Sequence, residues 1–342
     1  MTRLTVFFDT PAARATSLIV GVLVDLAMTI PSTAGRNAGI LQSAFPRNPG
    51  AISPPGIIRG ISFLTPVSFF VKIAFPASRW GWTRVTVQEC GIAQAFVDAR
   101  RKGTALARYP GNRPESLSAA YEIQNRALSL WDRAVGGWKV GKINPPDDAR
   151  LGANRLAGPV FADLISWSGD APTRFEIFRE GFAAVEAEFM LRVGPTDGPV
   201  PADRNDAVRW IDEIRIGIEV ASSPYAAINA DGPCVTISDH GNNAGLLLGP
   251  KVPHDLWAHL DQIEVSMEID GSIVGQATTA TMLDGPFGAA VFLFENLLER
   301  GITPQAGWWI SSGAITGVHP VSGEQLARAR FSGVGEVSAF ID

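Results

Sequence analysis

From residue 86 onward the apolar positions follow two periods, first helical and then alternating. Ile92, Ala95, Phe96 and Ala99 recur at helical spacing, and Gly103 is placed to end that helix. A second helix is predicted from Ser116 to Ala134, with the stripe Leu117, Ala120, Tyr121, Gln124, Leu128 and Trp131; Pro114 and Ser116 are its start signals. The period then drops to two. Val185-Glu186-Ala187-Glu188-Phe189 alternates, as does Ile216-Gly217-Ile218-Glu219-Val220. Met267–Met282 reads as a hairpin turning at Asp270-Gly271. Phe287–Arg300 is helical and stopped by Gly301, and Ala327–Ile341 is a strand pair around Ser332-Gly333-Val334-Gly335. Helices come first and strands dominate later, without a βαβ or internal repeat. This predicts an α+β fold with N-terminal helices followed by a β-rich core.

The first 85 residues differ from the rest. They carry eight basic and two acidic residues, a net charge of +6, whereas the remainder carries −11, and no Glu precedes Glu89. Such a break marks a boundary between 1–85 and 86–342. The apolar run Leu18–Ile30 is interrupted by Asp25 and is shorter than the roughly 20 residues a spanning helix needs. Ile57–Ala77 is broken by Arg59, Pro66 and Lys72, so no membrane anchor is expected. Two readings of 1–85 stand. One is a poorly ordered extension, or a start site assigned too far upstream, with Val85 or Val87 as the true start; the other is an Arg-rich organellar transit peptide.

Composition narrows the function classes. Of 342 residues, 46% are hydrophobic and 18% charged, enough for a sizeable core. A net charge of −5 gives no nucleic-acid footprint. Cys90 and Cys234 cannot form a disulfide framework and fit thiols of a reducing compartment, so the cytoplasm is the expected location.

The candidate chemistry sits on the alternating segments. Glu186 and Glu188 share one face of a strand, with Cα atoms about 6.7 Å apart from two residues of rise. Val185, Ala187 and Phe189 then face the core. Glu219 stands alone in an apolar strand, where a charge is seldom buried unless paired or bound to metal. Three hard oxygen donors suit Mg²⁺ or Mn²⁺, and the four histidines show no zinc-like spacing. A solvated sheet face would give the same pattern. Lys139, in Gly137-Trp138-Lys139-Val140-Gly141-Lys142, is read either as a partly desolvated lysine of lowered pKa or as a surface lysine. Ser311-Ser312-Gly313 and Thr316-Gly317 form a polar loop able to hold a carboxylate, or turn chemistry alone. No phosphate-cradling or nucleophile-elbow motif occurs.

Taken in order, several segments resemble the 2-keto-4-pentenoate hydratase family of the fumarylacetoacetate hydrolase-like superfamily. They are Ala120–Gln124, Gly137–Lys142, Ala157–Phe161, Val185–Glu188, Ile218–Ser223, Asp239–Gly249, Ser311–Val321 and Phe331–Val337, spread over about 250 residues. The resemblance implies a mixed-sheet core, a homo-oligomer, and Mg²⁺ or Mn²⁺ held by Glu186, Glu188 and Glu219. It further implies Lys139 as the proton-handling group and Ser312 and Thr316 as substrate contacts. The substrate implied is a short 2-hydroxy-dienoate or its 2-oxo tautomer from aromatic-ring catabolism, hydrated at C4. One departure stands out. Hydratases of this family often carry an acidic residue just before the glycine of the Gly-x-Val-Phe segment, where this chain has Leu156 and Ala157, with Asp163 farther on. The activity the resemblance implies is a hydratase lyase, and this departure counts against hydration more than against metal binding. A 4-oxalocrotonate decarboxylase or C–C hydrolase on the same scaffold, and a non-catalytic partner-binding member, are the alternatives.

Overall fold

The computed structural model describes residues 87–342, so the expectations for residues 1–85 lie outside the described residues. The chain opens with α1 (Val87–Lys102) and α2 (Leu117–Leu130), followed by β1 (Val135–Lys142), α3 (Asp147–Leu151), β2 (Arg155–Phe161), β3 (Ile165–Trp167) and β4 (Thr173–Phe175). Then come the two long strands β5 (Phe182–Val193) and β6 (Ile211–Ser223), with the short α4 (Arg204–Ala207) between them. α5 (Pro233–Ser238), β7 (Asn243–Lys251), β8 (Val265–Ile269), β9 (Ser272–Ala277) and α6 (Gly285–Glu299) lead to β10 (Trp309–Ser311), β11 (His319–Pro320), β12 (Gln325–Phe331) and β13 (Gly335–Ile341). Among the described residues no helix is long and apolar enough to cross a membrane.

Local chemistry explains the element ends. Ser116 caps α2, its hydroxyl accepting from the Ala119 N–H at 3.2 Å. That helix stops at Leu130, four residues before the sequence predicts. The Arg101 guanidinium takes the terminal Leu130 carbonyl at 2.6 Å, and Trp131 turns extended to pack edge-on against Phe161. Asp270 and Gly271 both have positive φ (50° and 78°), the turn that a tight hairpin between β8 and β9 requires. The hairpin's second strand ends at Ala277, because Thr278 caps a 3₁₀ turn over Thr279–Thr281.

Two mixed sheets result. The larger has the order β2-β1-β10-β5-β6-β7-β3 with β11 added beside β5, and it curls into a half-barrel; the smaller runs β4-β13-β12-β8-β9. Parallel pairing occurs at β1–β10, β3–β7 and β4–β13. Each long strand sends alternate residues to opposite faces. Val185, Ala187, Phe189 and Leu191 with Ile214, Ile216, Ile218 and Val220 form the core between the sheets and α6, where Phe189 meets Phe331 at 5.2 Å. Each such large side chain, fully buried, contributes about 1.5–3 kcal/mol. The opposite face closes around a smaller cluster of Val160, Met190, Leu246, Leu248 and Trp309. The glutamates sit on that second face.

Candidate metal centre

β5 and β6 pair antiparallel with Glu186 directly opposite Glu219 and Glu188 opposite Gly217. Directly opposed residues share a face, so this register brings the three carboxylates together. One oxygen from each lies within 4.8 Å of the other two. It is the only cluster of at least three potential metal-ligating side chains of this kind among the described residues. The sheet face is not solvated here: Glu188 and Glu219 are 0% exposed and Glu186 6%.

The surrounding donors are few and directional. Ser311 Oγ donates to Glu188 Oε2 and, at 3.3 Å, to Glu219 Oε2; the Gly313 N–H donates to Glu188 Oε2 at 2.8 Å. Glu219 Oε1 accepts from Asn243 Nδ2 at 2.9 Å and pairs with Lys139 Nζ at 3.1 Å. Glu188 Oε1 is buried with no hydrogen-bond partner. Three buried carboxylates facing one ammonium, with an orphaned oxygen between them, fit a hard divalent cation such as Mg²⁺ or Mn²⁺.

Electrostatics in the metal-free protein follow from this crowding. Burial first, then the Glu219 and Glu186 charges, push the Glu188 carboxyl well above the usual carboxylate range. Burial also raises Glu186 from 4.5 to about 7, with Lys139 opposing and Glu219 adding to the shift. Lys139 corrects the sequence reading of a lowered pKa. Burial does pull it down, but the carboxylates of Glu219, Glu186 and Glu188 outweigh burial and its pKa rises. A bound dication would cancel that push. For Glu186 the folded pKa lies above the ordinary value, so its stabilising contribution is complete below pH 4.5 and lost as pH rises through about 7. The metal-free chain is expected to melt several degrees lower at about pH 8 than at about pH 5, with Mg²⁺ restoring most of the difference at the higher pH. Thermal melts with and without Mg²⁺ check this, and a flat metal-free profile would contradict it.

Above the carboxylates lies a cleft of about 830 Å³, lined by Lys139, Glu186, Leu156, Arg155, Ser312 and Thr316 among others. Of the three clustered glutamates, Glu186 lines the cleft. Ser312 Oγ is buried and unpartnered at the cleft, whereas Thr316 Oγ1 is already hydrogen-bonded with His319 Nε2 at 3.0 Å. His319 pairs with Val185 and so shares the core-facing side of β5, away from the carboxylates. Asp163 points elsewhere, into an ion pair with Arg133, its side chain 65% exposed. The sequence marked Ser311-Ser312-Gly313 as a loop able to hold a carboxylate but not that the Ser311 hydroxyl and the Gly313 N–H hold Glu188, and it did not single out Asn243 within Asp239–Gly249.

No family model matches the chain. A 4-oxalocrotonate decarboxylase of Pseudomonas putida is 28% identical over 257 residues, 74% of this chain and 96% of that one. The TodF product hydratase of a Pseudomonas putida strain is 27% identical over 256 residues, 72% and 92% of the two chains. Among solved structures, 4-oxalocrotonate decarboxylase from Pseudomonas putida complexed with magnesium and adipate superposes with a TM-score of 0.63 at 22% identity, covering 75% of this chain and 97% of that one. Helices leading into a curled mixed sheet, and curated relatives of both activities matched over nearly their whole length, lead to one conclusion: the chain has the fold of the solved 4-oxalocrotonate decarboxylase and is similar in sequence to both 4-oxalocrotonate decarboxylases and 2-keto-4-pentenoate hydratases.

Proposed function

We propose that this chain is a divalent-metal-dependent lyase of short 2-oxo acids in aromatic-compound catabolism, with Glu186, Glu188 and Glu219 as ligands of Mg²⁺ or Mn²⁺. The observation that carries this reading is the buried, unpartnered Glu188 Oε1 among three clustered carboxylates. When bound, the ion supplies Lewis-acid polarisation of the substrate's 2-oxo group. The cleft suits a short unbranched diacid or dienoate, and the solved decarboxylase relative holds magnesium and adipate. Lys139 presents a buried ammonium beside Glu219 and Glu186, placed to hold negative charge on the substrate's 2-oxygen or to move a proton. Ser312 Oγ, left without a partner at the cleft wall, is free to donate to the C1 carboxylate, with Thr316 beside it on the same loop.

Decarboxylation and hydration both place negative charge on the substrate's 2-oxygen, and the cleft wall supports decarboxylation first. Leu156 stands where hydratases of this family often carry an acid, and Arg155 lines the same wall, paired with Asp284. In a 2-oxo-3-enedioate, the bond to the distal carboxylate breaks, its electron pair passes through the double bond to the 2-oxygen, and CO₂ leaves. That step needs no acid at the Leu156 position. Hydration is the second reading, supported by curated hydratases 24–27% identical to the chain. The Mg²⁺-loaded protein supplied with 4-oxalocrotonate and with 2-hydroxypenta-2,4-dienoate separates them. CO₂ release from the first substrate is expected. Water addition to the second, without CO₂, would move the assignment to hydratase. Inactivity on both, with Mg²⁺ or Mn²⁺ present, would favour a non-catalytic partner-binding member.

A further inference from the structure

Arg100 lies on α1, more than a hundred residues before Glu219, yet its guanidinium is spent on the backbone around that ligand. Nε and Nη2 donate to the two carboxylate oxygens of Asp239 at 2.6 and 2.8 Å. Nη2 also donates to the Ser222 carbonyl at 3.0 Å, and Nη1 to the Asn243 carbonyl at 3.1 Å. Ser222 follows Glu219 by three residues on β6. Asn243 opens β7, and its side-chain amide is the one that donates to Glu219 Oε1. Ser223 Oγ completes the knot with a 2.7 Å bond to Asp239. The side chain of Arg100 is 10% exposed and that of Asp239 0%, so water does not compete for these contacts.

Between Asp239 and Asn243 the chain makes an arch. His240, Gly241 and Asn242 have consecutive φ values of 55°, 65° and 57°, a left-handed run that residues with side chains avoid. The arch presses onto β2 at Gly158, where a Cβ would lie 2.1 Å from the His240 carbonyl oxygen. It also lies against the Lys139 stem: a Cβ on Gly241 would sit 2.9 Å from Lys139 Cδ. One strained segment therefore touches both the lysine and the Glu219 partner, and it needs an outside tie. A planar guanidinium can grip a carboxylate in a fork and still reach two carbonyls, which an ammonium cannot do.

We infer that Arg100 is a positioning residue for the metal centre: through Asp239 and Asn243 it fixes the arch that orients Glu219, which makes the first helix part of the site. This rests on the carboxylates being the ion ligands. The test uses the full chain, with Mn²⁺ affinity and metal-free melting temperature measured for Arg100→Gln, Arg100→Lys, Asn243→Ala and the Arg100→Gln/Asn243→Ala pair. Arg100→Gln and Asn243→Ala are each expected to weaken Mn²⁺ binding about tenfold. The pair should lose little more than either alone, because both act on one contact. Arg100→Lys, which keeps the charge and safeguards folding, should fall between wild type and Arg100→Gln, and millimolar guanidinium should partly rescue Arg100→Gln. A lowered melting temperature with Mn²⁺ affinity within twofold of wild type would overturn the inference, as would fully additive losses. If the wild type itself binds no Mn²⁺, the ion-site reading falls and the inference with it.

Discussion

Glu188→Gln is expected to remove metal-dependent turnover and weaken divalent-ion binding roughly 100-fold or more, beyond what loss of a supporting contact costs, while the metal-free protein melts at a higher temperature than wild type. The two effects have one cause. Glu188 is fully buried, and its ionised form is disfavoured by burial and by the Glu219 and Glu186 charges. The ion needs that charge; the empty site is strained by it. A glutamine keeps an oxygen to accept from Ser311 and the Gly313 N–H, and its amide supplies a donor toward the neighbouring carboxylates. Mn²⁺ titration and a metal-free melt at about pH 8 read the two effects separately. Wild-type turnover would sink the ion assignment, and a lowered metal-free melting temperature would sink the charge argument.

Lys139→Met should do the opposite to stability. It removes the ammonium that faces Glu219 at 3.1 Å and leaves the buried carboxylates uncompensated, a loss of about 3–5 kcal/mol when one partner of a buried pair is deleted. The loss should be largest above pH 7, where Glu186 is ionised, and smaller in acid. Mg²⁺ should return part of it by replacing the missing positive charge. Turnover should drop by about 10²–10⁴, the usual worth of a positioned proton-transfer group. Urea unfolding with and without Mg²⁺ gives the first result and steady-state kinetics the second. Wild-type stability in the metal-free variant would show that Lys139 does not balance the cluster.

Much of the fold was legible because local signals agreed with the final packing. The α1 stripe ending at Gly103, the Asp270-Gly271 turn and the alternation around Glu186 and Glu219 all read directly. Period two could place the glutamates on one face. It could not say whether that face was wet, since burial depends on the curl of the sheet and on β10 arriving beside β5. The sign of the Lys139 shift was hidden for a related reason: burial and the carboxylate charges act oppositely, and only their distances decide between them. Arg100 was out of reach altogether. Its partners Asp239, Ser222 and Asn243 lie more than a hundred residues away, and nothing in the spacing of α1 separates it from Arg101.

The pairing of Glu186 with Glu219 across β5 and β6 has one more consequence. All three acids ride on a single two-stranded ribbon, so their mutual placement is decided by one alignment of two neighbouring strands. A slip of β6 by one position would swing Glu219 among the greasy side chains between the sheets and bring Ile218 or Val220 out in its stead. Aligning the ribbon and building the ion cage are thus a single folding event, and a chain that misses the first cannot hold a cation by accident.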